Sequence, residues 1–197
     1  KPNDLAYTSI ALTPHTDNPY RKPIPCIQLL HCIENEVQGG LSTLVDGFAV
    51  ADHLKKKYPD LFKILTKTKV RFRFVDKTII LENWGELIEL DQNNKVKQVR
   101  YSTRLDYVPA IEKKELEKFY QARKLISKLY SSSDFEIRFK LQKGDLLMMD
   151  NHRLLHGRTA YNANEGNRYL KGCYIDHDST EGRLRHLERK FGLKWKK

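Results

Sequence analysis

Phe135-Glu136-Ile137-Arg138-Phe139-Lys140-Leu141, a Lys143-Gly144 turn, Asp145-Leu146-Leu147-Met148-Met149, and then Arg168-Tyr169-Leu170-Lys171-Gly172-Cys173-Tyr174-Ile175-Asp176 form the run whose reading decides the fold. Each piece is short, apolar or alternating, and bounded by turn residues, as strands are. Working back from it, Pro109–Tyr130 is the clearest helix, with Ile111, Leu116, Phe119, Tyr120, Leu125, Ile126 and Leu129 on one periodic face. Val70–Val75, Thr78–Glu82, Leu87–Leu90 and Val96–Tyr101 read as strands between turn signals such as Asp91-Gln92-Asn93-Asn94. Asp46–Thr66 has helical spacing that Pro59 splits in two, and Leu5–Thr13, Ile24–Cys32 and Ser42–Val45 read as the first strands. The expectation is a mainly β fold with helical insertions, a jelly-roll barrel. No repeat, low-complexity tract or linker divides residues 1–197, so one domain is expected.

Composition narrows the function classes. With 197 residues and 40% hydrophobic content the chain can bury a core. No apolar run approaches the roughly 18–20 residues of a membrane span, and Lys1-Pro2-Asn3-Asp4 is not an apolar leader, which predicts a soluble, cytoplasmic protein without a membrane partner. Cys26, Cys32 and Cys173 suggest reduced buried thiols rather than a disulfide framework or a cysteine-rich zinc site. The net charge of +11 is spread over Lys55-Lys56-Lys57, Lys113-Lys114 and the Lys194–Lys197 end, without interleaved aromatics, so no nucleic-acid partner is expected.

The chemistry lies elsewhere. In Thr13-Pro14-His15-Thr16-Asp17 the imidazole and carboxylate are two apart, and in an extended chain such residues project from one face toward a common ion. A third ligand would complete the two-histidine, one-carboxylate face of a non-haem Fe(II) site. Asp150-Asn151-His152-Arg153-Leu154-Leu155-His156-Gly157-Arg158 offers two candidates. His152 lacks the adjacent glutamate of a helical zinc-protease motif, and Gly157 permits close backbone approach, so His156 is the better ligand. Twelve residues on, strand parity places Arg168, Leu170, Gly172 and Tyr174 on one face and Lys171 on the other. Lys171 belongs in water, so Arg168 points inward. A buried guanidinium needs an anion, either a protein carboxylate or a bound one held bidentately.

The ordered series His15-Thr16-Asp17-Asn18-Pro19-Tyr20, Gln28-Leu29-Leu30-His31-Cys32, Gly39-Gly40-Leu41-Ser42, Val45-Asp46-Gly47-Phe48, Asp150-Asn151, Arg153–Arg158 and Arg168…Gly172…Tyr174 resembles the γ-butyrobetaine dioxygenases from about Ala6 to about Arg185. Trimethyllysine dioxygenases and the wider taurine-dioxygenase-like group are more distant matches. The resemblance implies a double-stranded β-helix in which His15, Asp17 and His156 bind Fe(II), 2-oxoglutarate chelates the metal, and Arg168 with Ser42 holds the distal carboxylate. It implies consumption of O2, hydroxylation of an unactivated C–H bond, release of succinate and CO2, ascorbate as an auxiliary reductant, and a homodimer as a compatible assembly. Since such families carry a sizeable region before the His-x-Asp strand, the chain is expected to lack the usual N-terminal region and to be the C-terminal portion of a longer architecture.

The resemblance also implies a small cationic or zwitterionic substrate. A trimethylammonium group has no N–H to donate, so aromatic faces must recognise it, and Tyr7 and Tyr174 match the family's cage tyrosines. Tyr7 shares the parity of His15 if no bulge intervenes. Asp4 stands where the animal enzyme has a carboxylate-contacting asparagine, and Tyr101-Ser102-Thr103-Arg104 replaces a second one, with Arg104 suited to a carboxylate or phosphonate. Conversion of γ-butyrobetaine to carnitine is therefore the leading expectation. Trimethyllysine or a trimethylaminoethylphosphonate is the alternative. A cupin-like metal-binding protein or zinc hydrolase is the non-oxygenase reading of the same three ligands.

Overall fold

The computed structural model describes residues 7–193, and in it strands β1 (Leu12–His15), β2 (Ile27–Asn35) and β3 (Ser42–Asp46) precede helices α1 (Gly47–Lys57) and α2 (Pro59–Leu65). Five strands follow: β4 (Lys69–Val75), β5 (Ile80–Glu86), β6 (Ile88–Leu90), β7 (Val96–Val99) and β8 (Asp106–Tyr107). Helix α3 (Lys113–Tyr130) leads into β9 (Glu136–Phe139), β10 (Leu146–Asp150), β11 (Leu154–Arg158) and β12 (Arg168–Ile175), and helix α4 (His177–Lys190) ends the described chain.

Two antiparallel sheets, β1-β11-β3-β9 and β10-β2-β12, carry the residues that matter for chemistry. Strand periodicity separates their duties. On β11, Leu155 is fully buried among residues of α1, α2 and α3, together with Val45 of β3, while His156 points the other way. Leu54, Leu65, Phe119 and Ile126 make the helical side of that core, so the helices brace one face of the sheet and leave the other for the site. Asp46 ends β3 and caps α1 by accepting from the Phe48 and Ala49 N–H groups, and its carboxylate also receives the Arg153 guanidinium at 2.6 Å. The helix start is thus tied to the strand that carries His156.

Two bulges re-aim the strands. Leu12 pairs with Arg158 and His15 with His156, so Thr13 and Pro14 together oppose Gly157. Proline has no N–H for the ladder and is tolerated at such an irregularity on an edge strand. The parity step from His15 back to Tyr7 therefore fails: a bulge intervenes, and residues 7–11 are not in a strand as the Leu5–Thr13 expectation had it. The second irregularity leaves Ile33 of β2 unpaired, while β12 runs unbroken, so the parity of Arg168 through Tyr174 holds.

The helix expected from Pro109 begins at Lys113, and the division at Pro59 is where α2 starts. β8, β11 and α4 were not anticipated. Cys26 and Cys32 are buried but Cys173 is exposed, contrary to the expectation for all three. Among the described residues no helix is long and apolar enough to cross a membrane.

The packing of α3 gives a direct test. Phe119 is wholly buried whereas its neighbour Tyr120 is 52% exposed. Replacing Phe119 with alanine should cost about 3–5 kcal/mol by cavity formation, against about 0.5 kcal/mol or less for Tyr120→Ala, as read by chemical denaturation of the two variants.

Candidate active site

His15 ends β1 and faces His156 of β11 directly in register, with ring centroids 4.5 Å apart. This close approach depends on Gly157, because a Cβ there would lie 2.4 Å from the Leu12 carbonyl oxygen and 2.8 Å from Thr43 Oγ1. Asp17 lies just beyond the strand and is held by a side chain rather than a ladder. The wholly buried Asn151 accepts from the Asp17 N–H at 2.7 Å and donates to the Asp17 and Pro25 carbonyls. One donor atom from each of His15, Asp17 and His156 lies within 4.8 Å of the others, with Asp17 Oδ1 3.3 Å from His15 Nε2 and Oδ2 3.6 Å from His156 Nε2.

The hydrogen bonds prepare these groups as ligands. His15 Nδ1 meets the Thr13 carbonyl at 2.8 Å, which fixes the tautomer with Nε2 free to coordinate. Asp17 Oδ2 accepts from Gln28 Nε2 and from the Tyr174 hydroxyl, both at 2.6 Å. Burial pushes His156 down to about 4, with Asp17 opposing and His15 assisting the shift, so the imidazole is neutral. Burial works against the charged form of Asp17, yet the neighbouring histidines and the Tyr174 hydroxyl hold its carboxyl well below the usual range. Two imidazoles and a carboxylate in this arrangement fit Fe(II) by donor chemistry.

The three groups open into a cavity of about 520 Å³ whose lining includes Leu12, Leu30, Ser42, Arg158, Tyr161, Arg168, Gly172 and Tyr174. Arg168 has no carboxylate among its described partners, its Nε is buried without a hydrogen bond, and its guanidinium lies 5.2 Å from the centre of the Tyr161 ring. Gly40, at φ +58°, makes room for it, since a Cβ there would lie 3.0 Å from Arg168 Nε. Burial lowers the pKa of both Arg168 and Arg158, and the two cations repel each other. Arg158 is anchored on the Ile10 and Thr8 carbonyls. The part of the cavity around Arg168 is thus built to receive an anion.

A family model described as taurine catabolism dioxygenase TauD, TfdA family, matches residues 1–174. The chain belongs to this dioxygenase family. γ-Butyrobetaine dioxygenase from Homo sapiens is 37% identical over 193 residues, covering 95% of this chain and 50% of the relative, and the enzyme of that name from Pseudomonas sp. (strain AK-1) is 34% identical over 184 residues, covering 93% and 48%. Trimethyllysine dioxygenase from Meyerozyma guilliermondii is 35% identical, covering 94% of this chain and 47% of the relative. The chain therefore spans about half the length of these relatives. Among solved structures, an asparagine oxygenase in complex with Fe(II), hydroxyasparagine and succinate matches with a TM-score of 0.69 at 16% identity, covering 89% of this chain and 53% of that one. The non-haem iron oxygenase OrfP in complex with Fe and α-ketoglutaric acid matches at 0.61 and 20% identity, covering 88% and 52%. These likenesses show the fold, that of jelly-roll oxygenases.

Within this TauD/TfdA-family chain the remaining expected residues are distributed unevenly. Ser42 is buried on β3 and lines the cavity, Tyr174 lines it beside Asp17, and Tyr7 lines its mouth while 81% exposed. Arg104 lies in an adjoining cleft of about 230 Å³ that shares His15 and Asp17 with the cavity. Asp4 lies outside the described residues. His152 is kept away from His15 and Asp17, near the Ile24 carbonyl. The motifs alone give Gln28 and Asn151 no role, although an amide inside an apolar strand and one at its end are the signal that marks them. Arg158 and Tyr161 were also missed.

Since Gln28 and Tyr174 saturate Oδ2 of Asp17, Gln28→Leu should loosen the carboxylate without unfolding the sheet. We expect Mn(II) affinity, followed by EPR titration, to weaken about 10- to 100-fold, with an unchanged far-UV circular dichroism spectrum.

Proposed function

We propose that this chain supplies the catalytic centre of an Fe(II)- and 2-oxoglutarate-dependent hydroxylase of a small quaternary-ammonium acid, with γ-butyrobetaine, giving carnitine, as the leading substrate. One observation supports it above the others: a two-histidine, one-carboxylate donor set and a partly buried guanidinium that has no carboxylate partner among the described residues open into the same cavity. In this reading residues 1–197 act as one oxygenase domain, and His15, Asp17 and His156 hold the iron. When bound, iron and 2-oxoglutarate supply the oxidising chemistry that transfers one oxygen atom of O2 to a C–H bond and leaves succinate and CO2.

The protein's own contribution is positioning and exclusion. Arg168 and Ser42 receive the distal carboxylate of the cosubstrate, and the Arg168 position is fixed by Tyr161 and by the space that Gly40 leaves. Leu12, Leu30 and Leu170 give the cavity an apolar wall that keeps water from the reacting atoms. Tyr174 presents an aromatic face next to Asp17, and Tyr7 stands at the mouth, where a trimethylammonium group would be held by ring faces and by negative charge. The relatives named γ-butyrobetaine dioxygenase and trimethyllysine dioxygenase support a trimethylated substrate class. Arg104 favours a second reading of the acid group, since a guanidinium beside His15 and Asp17 serves a phosphonate as well as a carboxylate.

Anaerobic addition of Fe(II) and 2-oxoglutarate should give a visible metal-to-ligand charge-transfer band. Arg168→Ala removes a charge-assisted pair of about 1.5–3 kcal/mol, so the 2-oxoglutarate needed for half-saturation should rise about 10- to 100-fold. Substrate choice is read by succinate formation with γ-butyrobetaine, trimethyllysine, trimethylaminoethylphosphonate and their unmethylated amines. Stimulation by the primary amines alone would sink the aromatic-cage reading of Tyr7 and Tyr174.

A further inference from the structure

A second group of metal-type donors lies outside the cavity. Cys26 stands just before β2, His152 sits in the turn between β10 and β11, and His177 opens α4. One donor atom from each lies within 4.8 Å of the other two. The rings of His152 and His177 meet edge to face with centroids 5.0 Å apart. Three segments distant in sequence thus deliver a thiol and two imidazoles to one point, and none of the three belongs to the His15, Asp17 and His156 set.

The surroundings favour coordination over ordinary packing. Cys26 is 7% exposed, so its sulfur faces the protein, whereas the half-exposed His177 leaves a path from solvent. Asp150 Oδ1 lies 3.4 Å from His177 Nε2 and also accepts the His152 N–H at 2.9 Å. A carboxylate behind one ring nitrogen is the arrangement that orients a ligating histidine and raises the basicity of its other nitrogen. The Ile24 carbonyl, 3.2 Å from His152 Nε2, does the same kind of work for the second ring. The backbone is tied down by hydrogen bonds here: Asn151 N–H donates to the Cys26 carbonyl at 2.7 Å, and Val99 N–H to the His152 carbonyl at 2.8 Å.

We propose that Cys26, His152 and His177 form a second metal site, selective for a borderline divalent ion of the Zn(II) class, which ties the start of α4 to the turn that carries Asn151. The donor set sorts the two sites. A thiolate with two imidazoles suits Zn(II) or Co(II), and leaves a fourth position for water, while the carboxylate-containing cavity site suits Fe(II) or Mn(II). On binding, the Cys26 S–H bond breaks, its proton passes to solvent, and the sulfur electron pair forms the metal bond, with no change of oxidation state. α4 gains most from such a link, because it buries no residue fully and has no side-chain cap at its N-terminus.

The test uses the full chain, stripped with a chelator and titrated with Co(II). We expect a near-ultraviolet thiolate-to-Co(II) charge-transfer band that persists in Cys173→Ser and in the His15→Ala/His156→Ala variant, where it saturates at one equivalent, and that disappears in Cys26→Ser. His177→Ala, a change at a partly exposed position, should weaken Zn(II) affinity at least tenfold in competition titrations while the metal-free protein keeps its melting temperature. Zn(II) should raise the melting temperature of the His15→Ala/His156→Ala variant but not of that variant with Cys26→Ser added. Absence of the band, a band that follows Cys173, binding lost with His15 and His156, or unchanged affinity in folded His177→Ala would each overturn the proposal. The band and the Zn(II) shift do not depend on turnover, so they stand or fall apart from the oxygenase reading.

Discussion

The side-chain amide of Asn151 is the interaction on which the site's geometry rests. Its two N–H donors and its oxygen are all used, on Asp17 O, Pro25 O and Asp17 N–H, and its own N–H meets the Cys26 carbonyl. Three segments that no single sheet joins are thereby held together: the end of β1, the approach to β2, and the turn between β10 and β11. A smaller or apolar residue would leave buried backbone groups unpaired at about 1–3 kcal/mol each. Asp17 needs this more than His15 or His156 do, because both histidines sit on paired strands and Asp17 does not.

How far the sequence could be read follows from which forces fix each part. Elements whose burial is periodic were legible: α3, the pair of helices divided at Pro59, and the strands β2, β4, β10 and β12 to within a few residues. β11 was not. Leu154-Leu155-His156-Gly157-Arg158 has no β-branched residue, and it is a strand because β1 and β3 pair with it on both sides. α4 gives little sign of itself because it is strongly polar and buries no residue fully, with Leu184 and Leu187 its only large apolar side chains. The closing of His15, Asp17 and His156 on one point follows from residue chemistry and spacing, but strand parity alone does not bring His15 and Asp17 together. Pro14 forces a bulge, Asp17 falls outside the strand, and an amide 134 residues away does the holding. Long-range partners of that kind leave no periodic trace.

The cavity is electrically divided, and the division explains why its groups do not neutralise one another. Arg168 opens β12, whereas Asp17 is held by Tyr174 six residues further along that strand, with Leu170 between on the same face. Asp17 is satisfied locally by Gln28, Tyr174 and the two histidines, so it makes no pair with Arg168. Arg158 spends its donors on backbone carbonyls and stays in place beside Arg168 despite the repulsion. A dianionic ligand with one carboxylate toward the metal ligands and one toward the guanidinium matches that polarity end to end, which a net charge of +11 spread over the surface would not by itself achieve.

Tyr174 joins this electrostatic frame to the question of substrate. Its hydroxyl is committed to Asp17 Oδ2 at 2.6 Å, and both burial and the Asp17 charge push its pKa up, so the phenol stays protonated and donating. The hydrogen bond fixes the ring beside a metal ligand, leaving its face rather than its oxygen for a ligand. A ring held in that way suits a cation without N–H groups, because a primary ammonium would compete with the phenol for the same carboxylate oxygen while a trimethylammonium cannot. On the proposed reading, discrimination against unmethylated amines therefore begins at Asp17 itself, through an oxygen already occupied by Gln28 and Tyr174.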